Sequence, residues 1–204
     1  MSTPEQVIVV GHEPPTATGL DNTKLAMWGF LGSECLFFGS LISTYLLYRN
    51  RVCAGCGPRP HQIYNIPYTS VSSFVLLMSS LTMVLALAAA QKRDDRGMRI
   101  WLLATALLGM IFVGGQIFEF TDFYHRGLSL STSTFGSAFF VLTGFHGAHV
   151  TVGILMLLSL VAMSFLGRLG PDQARKVELI GLYWHFVDIV WIVIFTVVYL
   201  IPSK

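Results

Sequence analysis

Residues 136–166 read GSAFFVLTGFHGAHVTVGILMLLSLVAMSFL, an unbroken run without a single Asp, Glu, Lys or Arg. About 20 mostly apolar residues suffice to carry a helix across the hydrocarbon core of a bilayer. This run exceeds that length, so it predicts a spanning helix that is tilted in its membrane. The rest of the chain repeats the pattern. Apolar stretches run from about Leu25 to Tyr48, from Tyr68 to Gln91, from Met98 to Thr121 and from Glu178 to Ile201. Each is bounded by charge, Pro or Gly: Arg49 and Arg51 follow the first, and Lys92-Arg93-Asp94-Asp95-Arg96 follows the second. The expected fold class is all-α, a polytopic membrane protein built as a bundle of five transmembrane helices. Residues 1–24 form a polar N-terminal segment and residues 25–204 the membrane domain.

Composition agrees. Of the 204 residues 53% are hydrophobic and 12% charged, and the mean hydropathy is +0.64. A soluble domain carries about a quarter of its residues as charges. The net charge of +2 and the lack of a basic patch interleaved with aromatics exclude a nucleic-acid partner. No polar stretch is long enough to fold as a domain by itself. No internal repeat is present, which gives no support to an inverted-repeat transporter. Segment 1–24 lacks the basic start and apolar core of a secretory signal, so the first helix is expected to direct insertion. Small residues recur within the helices, among them Gly32, Gly39, Gly115, Gly147 and Gly153. In a bilayer these let helices approach closely.

Orientation follows from Lys and Arg. With five spans, the N-terminal side carries Lys24, Lys92, Arg93, Arg96, Arg99, Arg168, Arg175 and Lys176, against Arg49, Arg51, Arg59, Arg126 and Lys204 opposite. Positive loops stay inside, which places the N-terminus in the cytoplasm and the C-terminus outside.

An ionisable side chain inside a bilayer is costly, and so calls for a reason. Glu34, His146, His149, His185 and Asp188 all fall near mid-depth of their helices, and Glu119 falls near the outer end of the third. His146 with His149, and His185 with Asp188, are three apart and so share a helical face. Those faces should turn toward protein. A metal site is one reading, since His and carboxylate are ligand types; the paired Glu-x-x-His pattern of di-iron bundles is missing. A proton relay is a second. The third is hydrogen bonding across helices, to a neighbouring subunit or to lipid head groups. A small transporter or channel lined by these faces is the rival class of function.

Cys53 and Cys56 lie in the first loop. A c-type haem attachment would need His after the second Cys, where Gly57 stands. A local disulfide in an oxidising compartment, a pair of idle thiols and a metal site remain open.

Four motifs carry a family resemblance. They are Ser33-Glu34-Cys35-Leu36-Phe37-Phe38, Gly115-Gln116-Ile117-Phe118-Glu119-Phe120, Thr143-Gly144-Phe145-His146-Gly147-Ala148-His149-Val150 and Tyr183-Trp184-His185-Phe186-Val187-Asp188-Ile189-Val190-Trp191. Together they resemble subunit III of the haem-copper terminal oxidases, from about Leu25 to Ile201. The resemblance implies a non-catalytic subunit without redox cofactors of its own, packed against subunit I in a complex with subunit II. Haem and copper would lie in the partner subunits, where dioxygen is reduced to water. Subunit III would sustain proton uptake into subunit I, and phospholipid would bind between its helices. Other respiratory complexes are further candidate partners. Glu34 matches the family's buried carboxylate, and Glu119, His146, His149, His185 and Asp188 match its other polar positions. Longer members carry seven helices, of which this chain resembles the last five, so a lipid cleft formed by the missing pair is in doubt. An aa3-type cytochrome c oxidase of a bacterial plasma membrane is the favoured complex and a quinol oxidase the alternative. The Cys53/Cys56 pair belongs to no motif of the family.

Overall fold

The computed structural model describes residues 22–49, 66–128, 133–170 and 173–201. Residues 1–21 and the Cys53/Cys56 pair lie outside them. Among the described residues five helices are long and apolar enough to cross a membrane: α1 (Asn22–Arg49), α2 (Ile66–Gln91), α3 (Asp95–His125), α4 (Thr134–Phe165) and α5 (Gln173–Phe195), the last continued by a π-helical turn, Thr196–Leu200.

Each helix begins a few residues before its apolar run. The extensions are polar ends such as Asn22, Asp95 and Gln173. Outside the hydrocarbon these residues hydrate their side chains and still complete helical turns, so hydropathy alone stops short of them. The charged run after α2 is therefore shared out. Asp94 caps α3, its Oδ1 accepting from Gly97 N at 3.0 Å, and Asp95 opens the helix.

Three helices end in the same way. Leu128 N donates to Phe123 O and Gly127 N to Tyr124 O, while Arg168 N and Gly167 N repeat the pattern onto Met163 O and Ser164 O. These are Schellman closures, which need a left-handed residue just past the helix. Gly127 and Gly167 supply it at φ 86° and 67°. After α2 the same two bonds form, from Asp94 N to Ala89 O and from Arg93 N to Ala90 O. The left-handed position there is held by Arg93 at φ 56°.

Helices α2 to α5 close a ring: α2 packs on α3, α3 on α4, α4 on α5 and α5 back on α2. Helix α1 lies outside this ring against α4 and α5. Of α1's most apolar window 11% is buried within the chain, against 44% for α5 and its extension. Helix α1 is thus a peripheral strut and α5 the hub. Two tryptophans fix the hub. Trp184 Nε1 donates to Ser79 Oγ at 2.9 Å and Trp191 Nε1 to Ser73 Oγ at 2.8 Å, both on α2. The Trp184 indole fits because Gly109 and Gly153 leave room: a Cβ on either would come within 2.7 or 2.8 Å of the ring.

Polar ties at three heights help to hold α1. Lys24 Nζ pairs with Glu178 at 2.7 Å near one end. Glu34 meets His149 in the middle. At the other end Arg49, 5% exposed, donates to Val197 O at 3.1 Å and also to Ile201 O. Val197 lies in the π turn and Ile201 caps it, its N–H donating to Thr196 O.

Candidate functional site

Glu34 stands twelve residues into α1, which starts at Asn22. At about 1.5 Å per residue that is roughly 18 Å along the helix, close to its middle. His149 sits equally near the middle of α4. Glu34 Oε2 lies 3.3 Å from His149 Nε2, with side chains 17% and 20% exposed. The pair is in ionic range but falls short of hydrogen-bond alignment. The other ring nitrogen settles one question of protonation. His149 Nδ1 is 2.7 Å from the carbonyl of Phe145, and a carbonyl can only accept. Nδ1 therefore carries a hydrogen. From α5, the Tyr183 hydroxyl donates to the backbone carbonyl of His149 at 2.9 Å.

His146 takes a different direction. A step of three residues turns about 60° short of a full circle, enough to send the two histidines to different neighbours. His146 is fully buried, stacked on Trp191 at 4.9 Å between ring centroids, with the edges of Phe112 and Phe38 at 5.9 and 6.4 Å. Neither ring nitrogen has a hydrogen-bond partner among the described residues. Both histidines turn toward protein, but they do not form one joint polar face. Phe38 of α1 touches both, reaching His149 at 5.0 Å.

His185 and Asp188 of α5 do share a neighbour, Ser80 of α2. Ser80 Oγ is 2.6 Å from His185 Nδ1, and the same hydroxyl lies in reach of the Asp188 carboxyl without a well-aligned bond to it. Asp188 is 3% exposed. Glu119 lies toward the Arg49 end of the bundle. It is buried and accepts from Thr69 Oγ1 at 2.7 Å and from the Tyr199 hydroxyl of the π turn. The six polar positions thus divide into separate clusters: Glu34 with His149, His146 within its rings, His185 with Asp188, and Glu119 near one end. Among the described residues no group of three or more His, Cys, Asp or Glu is arranged to hold a metal ion.

Several participants gave little sign of themselves in sequence. Arg49 reads as a charge that ends a span, yet it is enclosed. Gln116 donates to Thr143 O at 2.9 Å and fills the space that Gly147 leaves, where a Cβ would meet Gln116 Oε1 at 2.6 Å. The small residues of α2 looked generic; Ser73, Ser79 and Ser80 each meet a ring of α5.

The family model described as cytochrome c oxidase subunit III matches residues 5–203. The "Probable quinol oxidase subunit 3" of Staphylococcus saprophyticus is 39% identical over 180 residues, covering 87% of this chain and 88% of that protein. The "Cytochrome c oxidase subunit 3" of Bacillus sp. strain PS3 is 40% identical over 179 residues, 88% of this chain and 86% of the relative. The "Cytochrome bo(3) ubiquinol oxidase subunit 3" of Pseudomonas aeruginosa is 38% identical over 195 residues, 95% and 92% of the two chains.

Proposed function

The chain belongs to the cytochrome c oxidase subunit III family, and on that premise we propose that it is the cofactor-free third subunit of a bacterial haem-copper respiratory oxidase. Its role is to pack on subunit I, which with subunit II would hold the haem and copper, and to support proton uptake there during sustained turnover. The observation that carries this reading is the way its histidines are used. His149 faces Glu34, His146 is walled by rings and His185 bonds Ser80. Three separate sets of neighbours favour packing and proton-holding contacts over one convergent reactive centre.

The N-terminus belongs in the cytoplasm on this reading, as the eight-to-five Lys and Arg count favours. Glu34 is the residue assigned to proton uptake. The other polar positions, Glu119, His146, His149, His185 and Asp188, support it by holding the bundle or its lipids. The test is purification from native membranes. The chain should migrate with a haem-containing, oxygen-consuming complex and be colourless when isolated. Stoichiometric haem in the isolated chain, or its purification apart from any haem protein, would overturn the assignment. Glu34→Gln should leave assembly intact and shorten sustained turnover; abolished oxygen reduction in an assembled complex would contradict a supporting role.

Cytochrome c is the electron donor we favour, in an aa3-type complex. A quinol donor is the second reading, since relatives of similar identity bear quinol oxidase names. The deciding observation is whether the partner subunit II has ligands for a dinuclear copper centre.

A further inference from the structure

His185 is half-buried at mid-depth of the bundle, with one ring nitrogen turned in and the other left open. It stands twelve residues beyond Gln173 in a helix that runs on to Leu200, about 18 Å along the axis. Its Nδ1 faces Ser80 Oγ at 2.6 Å, and the geometry of an imidazole sends Nε2 away from that contact. Among the described residues Nε2 has no hydrogen-bond partner. Unlike the ring nitrogens of His146, it is not sealed from the surface. Behind it lies Asp188, 97% enclosed by its 3% exposure, with both carboxyl oxygens lacking an aligned partner. Ser80, His185 and Asp188 make a polar recess in the seam of α2 and α5. The surface around it is apolar and exposed: Leu77 and Val84 stand one turn from Ser80, and Ile189 one turn from His185.

Hydrocarbon offers nothing to such a recess. Lipid head groups stand about 15 Å away, half the thickness of the core, and a polar group left unmet in lipid is strongly disfavoured. A second helix can bring a polar side chain to that depth while its apolar residues cover Leu77, Val84 and Ile189. We propose that the α2–α5 face centred on His185 is a docking face. A transmembrane helix of another oxidase subunit covers it and presents a hydrogen-bonding side chain to His185 Nε2. This rests on the oxidase assignment above and adds to it which face of the chain makes the contact.

The test uses the whole complex in native membranes. A photo-crosslinking amino acid at Ile189 should give an adduct with another subunit of the oxidase, whereas the same probe at Leu36 on the outer face of α1 serves for comparison. His185→Leu should raise the fraction of this chain lost during detergent purification about three- to fifteenfold, the range expected for one hydrogen bond within a membrane. His185→Gln, which keeps a hydrogen-bonding group, should retain most of the wild-type association. Co-purification with haem while Ile189 yields only lipid adducts would overturn the docking face and leave the oxidase assignment standing. A chain that does not purify with haem overturns the assignment itself. Should His185→Leu fail to fold, the Ile189 crosslink in the otherwise unaltered chain still decides.

Discussion

Trp184 occupies the space that the missing side chain of Gly153 leaves, so that a Cβ there would lie 2.8 Å from the indole ring. The same ring presses on Gly109 from its far edge and is tied to Ser79 by its N–H. A flat side chain held against Gly109, against Gly153 and by its N–H has little room to yield. Gly153→Ala should therefore destabilise by about 1–3 kcal/mol through overpacking, read as a lowered unfolding midpoint in detergent. Gly144→Ala is the control. Nothing lies within 4 Å of its added Cβ, and the gain in helix propensity should leave stability unchanged or raise it by up to about 1 kcal/mol. Equal losses at both positions would refute the slot.

The same indole supplies the second expectation. Ser79→Ala removes the acceptor of the Trp184 N–H within a buried seam. Intramembrane hydrogen bonds average about 0.6 kcal/mol and reach about 1.7, so a loss within that range is expected. Ser73→Ala should cost a similar amount through Trp191. The two should add, because each serine serves its own ring. A double variant much worse than the sum would mean that the rings act as a unit.

Arg93 sits in a left-handed conformation that glycine holds at the two matching helix ends. An L-residue with a side chain is strained there by about 1 kcal/mol. Arg93→Gly should stabilise the α2–α3 turn by up to that amount, measurable by thermal unfolding of the purified complex. A destabilised variant would show that the Arg93 side chain makes a contact worth more than the strain.

Arg49 holds carbonyls of the π turn. Arg49→Met keeps much of the side chain's bulk and removes every donor. Amide hydrogens of Val198 to Ile201 should then exchange faster, while those of Val187 to Trp191 in mid-helix should not change. Uniform acceleration along α5 would indicate a general loss of packing instead.

Helix number, helix order and family were legible in the chain because all three are written locally. Apolar runs give spans, and motifs such as Gly144-Phe145-His146-Gly147-Ala148-His149 are contiguous. The family match over residues 5–203 bears the resemblance out. What could not be read is which residue meets which. His146 and His149 differ by one helical step, and only the placement of α1 and α5 around α4 decides that one finds Glu34 and the other Trp191. Arg49 looked like a boundary because a single sequence does not reveal the carbonyls waiting at the end of α5. The polar tips of the helices were missed for a simpler reason: hydropathy measures residence in lipid, while a helix continues as far as its backbone bonds and caps allow.

The three ties of α1 have a consequence for motion. Lys24, Glu34 and Arg49 engage Glu178, His149 and the carbonyls of Val197 and Ile201 at separate heights along one rod. To slide by one turn, about 5.4 Å, the rod would have to let go of all three at once. Its seat is keyed, like a bolt with three wards, so that α1 is either home or out.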